Sequence, residues 1–314
     1  MIIKSIEVEK FRSISDVSFE LGKKLTAIAG RNATQKTTLL GMLGQPFAIS
    51  KDSPLFGCST VDGYNFRSQF SEKFKLSITY EPIGSHKWTL NFHNHGYYKN
   101  DKITIQSIAR KQKGKPDGIR FWNADGRKKG EGYVQLPVYY LSLSRLSPIG
   151  ETSKTSTHNI NLTQEEIDYC VRAYREILSI TSISGVPSLS VEKGTGKRVY
   201  SGINDGIHDI FTNSAGEGNI SRIILSILSF KRLKDQYSTK YKGGILLIDE
   251  LDATLYGFSQ KRLLKYLLDS AKEYRIQIIF TTHSPIVLNE MYKLHREESK
   301  RSGILPTQSA YDTS

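Results

Sequence analysis

Lys36 and Thr37 lie in the polar stretch Gly30-Arg31-Asn32-Ala33-Thr34-Gln35-Lys36-Thr37-Thr38. The stretch follows a short apolar run over 25–29 and precedes Leu39-Leu40-Gly41-Met42-Leu43. Strand, loop and helix start, in that order, place backbone N–H groups and a helix N-terminus where they can cradle phosphates. Lys36 would then reach the terminal phosphates, and the Thr37 hydroxyl would ligand Mg²⁺. The pattern G-x-x-x-x-G-K-[ST] wants glycine where this chain has Gln35. That substitution adds a Cβ where backbone must approach phosphate closely. The competing reading is an ordinary strand–loop–helix turn that carries a Lys-Thr pair.

Three further segments bear chemistry. Gly244-Ile245-Leu246-Leu247-Ile248-Asp249-Glu250 is an apolar strand ending in two acids. Desolvated carboxylates are costly, so their place at a buried strand end calls for a role. Asp249 would hold Mg²⁺, and Glu250 would polarise an attacking water as general base. The alternative is a strand terminus with two solvated acids. Ile278-Ile279-Phe280-Thr281-Thr282-His283-Ser284-Pro285 is a second buried strand ending in a histidine. His283 either contacts the γ-phosphate and the attacking water or is structural. Asn213-Ser214-Ala215-Gly216-Glu217-Gly218-Asn219 precedes an amphipathic helix. It reads either as an N-cap loop, with Ser214 or Glu217 stabilising the helix start, or as a second phosphate-facing helix N-terminus. On the functional reading Glu250, His283 and Lys36 form the catalytic set, residues 30–38 bind nucleotide, and Thr37 and Asp249 hold the metal.

These segments need elements to position them. Ile2, Ile6 and Val8 carry a first strand; Val17, Phe19 and Leu21 alternate in a second; Leu25 to Ala29 form a third. From 48 to 145 short β-rich runs alternate with turn signals: 74–80, 88–92, 103–105 and 134–140. They predict an antiparallel β insertion. Residues 146–235 predict a helical subdomain. It includes a capping box at Thr163 and Glu166, a polar interruption over 185–206, and an apolar face of Ile220, Ile223, Ile224, Ile227 and Leu228. Strand, helix and strand over 245–280 predict a mostly parallel sheet. The expected organisation is therefore 1–47 and 236–292 as one α/β lobe, 48–145 as its insertion, 146–235 as the helical subdomain, and 293–314 as a polar tail, with truncation there as one reading.

Composition narrows the partners. The 314 residues carry a formal charge of +13 and a pI near 9.5, which favours a polyanionic partner. The basic middle of the insertion suggests a nucleic-acid surface through Lys111, Lys113, Lys115, Arg127, Lys128 and Lys129. Tyr97, Tyr98, Phe121 and Trp122 stand ready to stack on bases. A solvated loop rim is the equally open alternative. No apolar run approaches the ~18 residues that span a bilayer, so no membrane partner is expected. Cys58 and Cys170 are too far apart in sequence to suggest a disulfide framework or a metal site, and a reducing cytoplasm is expected.

The segments occur in a fixed order: phosphate loop, insertion, signature-like loop, acidic strand, switch histidine. In that order they resemble an ABC-type P-loop ATPase head. Phe11-Arg12-Ser13-Ile14 resembles the opening strand of SMC-, RecF- and OLD-like ATPases. Ile248 to Leu255 resembles their joined Walker B and D-loop, and Thr282 to Pro285 their switch strand. The resemblance implies ATP and Mg²⁺ as cofactors and a head-to-tail homodimer. Ser214, Ala215, Gly216 and Glu217 would then act in trans as the signature, with Asp252 in the D-loop at the interface. It implies work on DNA or beside a nuclease. Short members include the ATPases of Septu-type and retron-associated anti-phage systems. Two departures stand out. Gln35 and Ala33 replace glycines of the phosphate loop, and Tyr140 to Arg145 occupies the Q-loop place without a glutamine. A non-hydrolysing nucleotide sensor and a RecF-like DNA-repair ATPase are the alternatives to a gated ATPase. A transporter subunit fits poorly, because no membrane-coupling segment is visible.

Overall fold

The computed structural model describes residues 2–51, 53–67, 73–77, 79–93, 98, 100–112, 115–124, 126, 133–146, 155–158, 161–179, 188–194, 199–204 and 214–302. Its centre is a four-stranded parallel sheet in the order β3-β12-β11-β7. The strands are β3 (Leu25–Ala29), β7 (Val138–Leu141), β11 (Gly244–Ile248) and β12 (Ile276–Thr282). β7, β11 and β12 are buried at every position, as expected of a sheet covered on both faces.

Side chains that alternate along these strands enter two different cores. Val138, Tyr140, Ile245, Leu247 and Ile279 join Leu39, Leu40, Met42 and Leu43 of helix α1 (Lys36–Gly44). The far wall of that core is a five-stranded antiparallel sheet, β2-β1-β4-β5-β6. Its members are β1 (Ile3–Phe11), β2 (Ile14–Glu20), β4 (Lys87–Phe92), β5 (Lys102–Gln112) and β6 (Lys115–Asn123). Tyr139, Leu141, Leu246, Ile248, Ile278 and Phe280 face the other way. They pack on α2 (Gln164–Leu178), α3 (Ala215–Tyr237) and α4 (Gly257–Glu273). A last helix, α5 (Pro285–Ser302), follows β12. Buried Gln277 ties the two sheets. Its amide accepts from Ile3 N at 2.9 Å and donates to Ile3 O at 2.9 Å and Gly22 O at 2.8 Å.

Several sequence expectations change. The expected antiparallel insertion is present as β4 to β6, which pair in chain order, but it extends the β1–β2 ribbon through β1 and β4. β7 leaves that sheet for the parallel one, beside β11. Residues 73–77 form no strand, because Glu81 claims the backbone there: its carboxylate accepts from Ser77 N and its N–H donates to Ser77 O. The polar interruption holds a hairpin, β9 (Ser188–Gly194) with β10 (Val199–Asn204), to which β8 (Thr155–His158) adds a third strand. The tail is helical as far as Ser302. Val17 and Phe19 alternate as expected, yet both are exposed, since β2 is the outer strand. Among the described residues no helix is long and apolar enough to cross a membrane.

Candidate functional site

β3 delivers the chain to the loop at residue 30, and α1 begins at Lys36. Ala33 (φ 64°) and Gln35 (φ 61°) both hold left-handed backbone. The two positions where the sequence lacks glycine are thus positions whose conformation glycine suits best. No side chain caps the start of α1, so its first N–H groups have no capping side-chain partner. Thr34 Oγ1 steadies the loop by donating to Arg31 O at 2.8 Å. The Gln35 amide donates to Ser13 Oγ, while Gln35 Oε1 is buried without a protein partner. Lys36 Nζ donates to Gly30 O at 2.9 Å and Arg31 O at 2.8 Å. Burial lowers the Lys36 pKa, against the opposing pull of Glu250, Asp249 and Asp252.

The acidic strand end meets this loop. Asp249 is 2% exposed, and both its carboxylate oxygens accept from Thr37 Oγ1 at 3.0 Å. Thr281 Oγ1 donates to Asp249 Oδ1 at 2.7 Å and accepts from Glu250 N at 2.6 Å. One hydroxyl therefore holds the Asp249 carboxylate and the Glu250 backbone. Glu250 itself adopts φ 50°, and its carbonyl accepts from Arg145 Nη2 at 2.9 Å. Asp252 Oδ1 accepts from Thr282 Oγ1 at 2.5 Å and His283 N at 3.3 Å, tying the expected D-loop to the switch strand. His283 is exposed. The result is a cleft of about 220 Å³ lined by Asn32, Ala33, Thr34, Gln35, Lys36, Thr37, Asp249, Glu250, Thr281 and His283. A hydroxyl and a carboxylate in contact are hard oxygen donors, a set that suits Mg²⁺. Backbone N–H groups and an ammonium beside them suit phosphate.

Ser214 to Glu217 open α3 but do not line this cleft. The capping reading holds: Ser214 Oγ accepts from Glu217 N at 3.3 Å, and Glu217 Oε2 accepts from Ser214 N at 2.7 Å. Ser214 and Ala215 are exposed, so the same helix end remains open to a second molecule. Gly216 packs so closely on the turn after Glu250 that an added Cβ would lie 2.8 Å from Thr254 O.

The nucleic-acid candidates fare unevenly. Lys111 is exposed on β5. Lys115 begins β6 opposite Gln112. Lys113, Arg127, Lys128, Lys129 and Tyr97 lie outside the described residues. Phe121 cannot stack on a base, because it is 3% exposed and packs among Phe11, Phe74, His86 and Trp88. Tyr98 packs against Phe92. Half-buried Trp122 lies under the Arg120 guanidinium, 5.0 Å from its ring centroid, and its indole N–H donates to Gly126 O.

Sequence reasoning missed Thr281, Arg145 and Asn219. Thr281 stands two residues before His283, and Arg145 ends the stretch in the Q-loop place. Their proximity to motifs was visible; their long-range partners were not.

Residues 138–288 match the family model described as an AAA ATPase domain. That span holds β7, α3, β11 and β12, but not the phosphate loop. The SMC head bound to the C-winged helix domain of ScpA matches with a TM-score of 0.50, at 16% identity and over 92% of each chain. The SMC head domain from Thermotoga maritima gives a TM-score of 0.47, at 15% identity and over 92% of each chain. The recombination mediator RecF with ATP gives 0.42 at 13% identity, covering 90% of this chain and 93% of that one. The fold is the P-loop ATPase head of the SMC type.

Proposed function

We propose that a chain with this head fold and this AAA ATPase match is an ABC-type ATPase that binds ATP and closes as a homodimer around it. The observation that carries the reading is the pairing of Thr37 with Asp249, 212 residues apart in sequence and 3.0 Å apart in space. Thr37 and Asp249 would hold Mg²⁺, which when bound offsets charge on the phosphates. Lys36 and the loop N–H groups would hold the β- and γ-phosphates. Glu250 would accept a proton from water as the water oxygen bonds to the γ-phosphorus and the bond to the β–γ bridging oxygen breaks, which leaves ADP and phosphate. His283 would contact the same phosphate. Ser214, Ala215 and Gly216 of a second copy would complete the site, with Asp252 at the interface.

The finer reading rests on the resemblance to defence ATPases. In it, closure or turnover gates a nuclease partner in anti-phage defence, in the cytoplasm and on nucleic acid. The net charge of +13 supports a polyanionic partner. One assay set tests the core reading: ATP binding, phosphate release and dimerisation of the parent chain against Lys36→Ala, with and without duplex DNA. The parent should turn over ATP, and Lys36→Ala should lose most nucleotide binding. If the parent does not bind ATP, the reading fails. DNA binding that does not weaken with salt would remove the basic surface from it.

A second reading, a nucleotide-gated scaffold that does not hydrolyse, draws on Gln35 and Ala33. Both hold left-handed backbone that glycine adopts more readily, and each adds a Cβ to the loop. Gln35→Gly should tighten ATP binding several-fold by letting backbone N–H groups approach phosphate. A titration showing unchanged affinity would mean that Gln35 is no obstacle, and the case for the scaffold would weaken.

A further inference from the structure

Arg145 occupies the short 3₁₀ turn (Leu143–Leu146) after β7 and is 6% exposed. A buried guanidinium normally lies against a carboxylate. Every hydrogen-bond acceptor described for this one is neutral. Nε donates to Asn219 Oδ1 at 2.8 Å, Nη2 to Glu250 O at 2.9 Å, and Nη1 to Ser142 O at 3.0 Å and Leu141 O at 3.4 Å. Asn219 lies in the second turn of α3 and is fully buried. Its Nδ2 donates to Ala253 O at 2.9 Å. One asparagine thus holds both Arg145 and the turn that follows Glu250.

The consequence falls on Glu250. Its left-handed backbone, φ 50°, is a conformation that non-glycine residues keep only when the surroundings enforce it. The N–H is fixed by Thr281 and the carbonyl by Arg145. With both flanking peptide planes pinned, the direction of the Glu250 Cα–Cβ bond, from which the carboxylate is carried, is pinned too.

We propose that Arg145 is a positioning residue that couples the seating of α3 to the aim of the Glu250 carboxylate. The inference rests on the ATPase reading above. When the exposed N-terminus of α3 engages nucleotide held by a second copy, any shift of Asn219 passes through Arg145 to Glu250. Arg145 touches neither phosphate nor water in this scheme. It acts on turnover and not on nucleotide affinity.

The test is a kcat-against-KM comparison of Arg145→Ala, Arg145→Lys and Asn219→Ala with the parent, below the melting temperature of each. Small displacements of a reacting group can cost about 10²-fold. Arg145→Ala should therefore lower kcat by about 10- to 100-fold, with KM for ATP within about threefold and ATP-induced dimerisation retained. Arg145→Lys keeps the charge but cannot span the three directions, and should recover part of kcat. Asn219→Ala cuts only the links to α3 and carries the test if Arg145→Ala fails to fold; it should lower kcat at constant KM. A purely structural role would lower the melting temperature and leave kcat per folded molecule at the parental value, which would overturn the proposal. A parent chain that binds ATP without turnover would instead refute the hydrolytic reading.

Discussion

A Glu250→Gln variant will bind ATP but turn it over about 10²–10⁴-fold more slowly than the parent, the usual contribution of a positioned base. The amide is nearly isosteric with the carboxylate, and the contacts that fix Glu250 are backbone contacts: Thr281 Oγ1 at its N–H and Arg145 at its carbonyl. The substitution leaves both in place. Asp249, which accepts from Thr37 and Thr281, is also untouched. What is lost is the ability to take a proton. Nucleotide then stays bound, and a dimer closed around it should accumulate. Phosphate release and the sedimentation of the ATP-bound species measure both effects. Parental turnover in Glu250→Gln would remove Glu250 as the base; slow turnover without an ATP-dependent dimer would remove the head-to-tail arrangement.

The largest effect on stability is expected away from the cleft, at Asp62. This carboxylate is almost fully buried and accepts from Arg222 Nη1 at 2.8 Å, Tyr139 Oη at 2.8 Å and Thr60 Oγ1 at 2.5 Å. Arg222 lies on α3 and Tyr139 on β7, so the cluster joins the 53–67 loop to the helix that carries Asn219 and to the strand that leads into the turn of Arg145. Burial alone would raise the Asp62 pKa. The Arg222 charge and the three hydrogen bonds outweigh it and hold the carboxyl below its ordinary value of 3.8. Asp62→Ala leaves the buried Arg222 guanidinium uncompensated, which costs about 3–5 kcal/mol. In a chain of this size that lowers the melting temperature by on the order of 10 °C. The sign with pH follows from the depressed value. The stabilisation is fully present above the unfolded carboxyl's pKa, about 4, and fades as pH falls through the folded one. Melting curves at pH 7 and pH 3 test this: the gap between parent and variant should narrow in acid. A gap that stays constant would mean that Asp62 contributes through packing and not through charge.

The cluster's residues show where sequence reasoning reaches and where it stops. Features set by neighbours in the chain were legible. The Ile245–Ile248 run reads as a strand buried on both faces because it is apolar at every position, and it is. The capping box at Thr163/Glu166 closes over three residues, so spacing alone specifies it. Phosphate loop, acidic strand and switch histidine are each local, and their order gave the fold class.

Partnership over long separations was decided only by tertiary structure. Val138–Leu141 is a short apolar run that fits an antiparallel or a parallel sheet equally well; pairing with β11 chose the parallel one. Phe121 has the alternation of a half-exposed strand residue, but the side it faces was set by the aromatic cluster around Phe11. Thr281 reaches Asp249 across 32 positions and Arg145 reaches Glu250 across 105. A hydroxyl or guanidinium in sequence carries no record of the acceptor it will meet. Local patterning fixes which face of an element is apolar, whereas chain closure fixes what that face and its polar ends will touch.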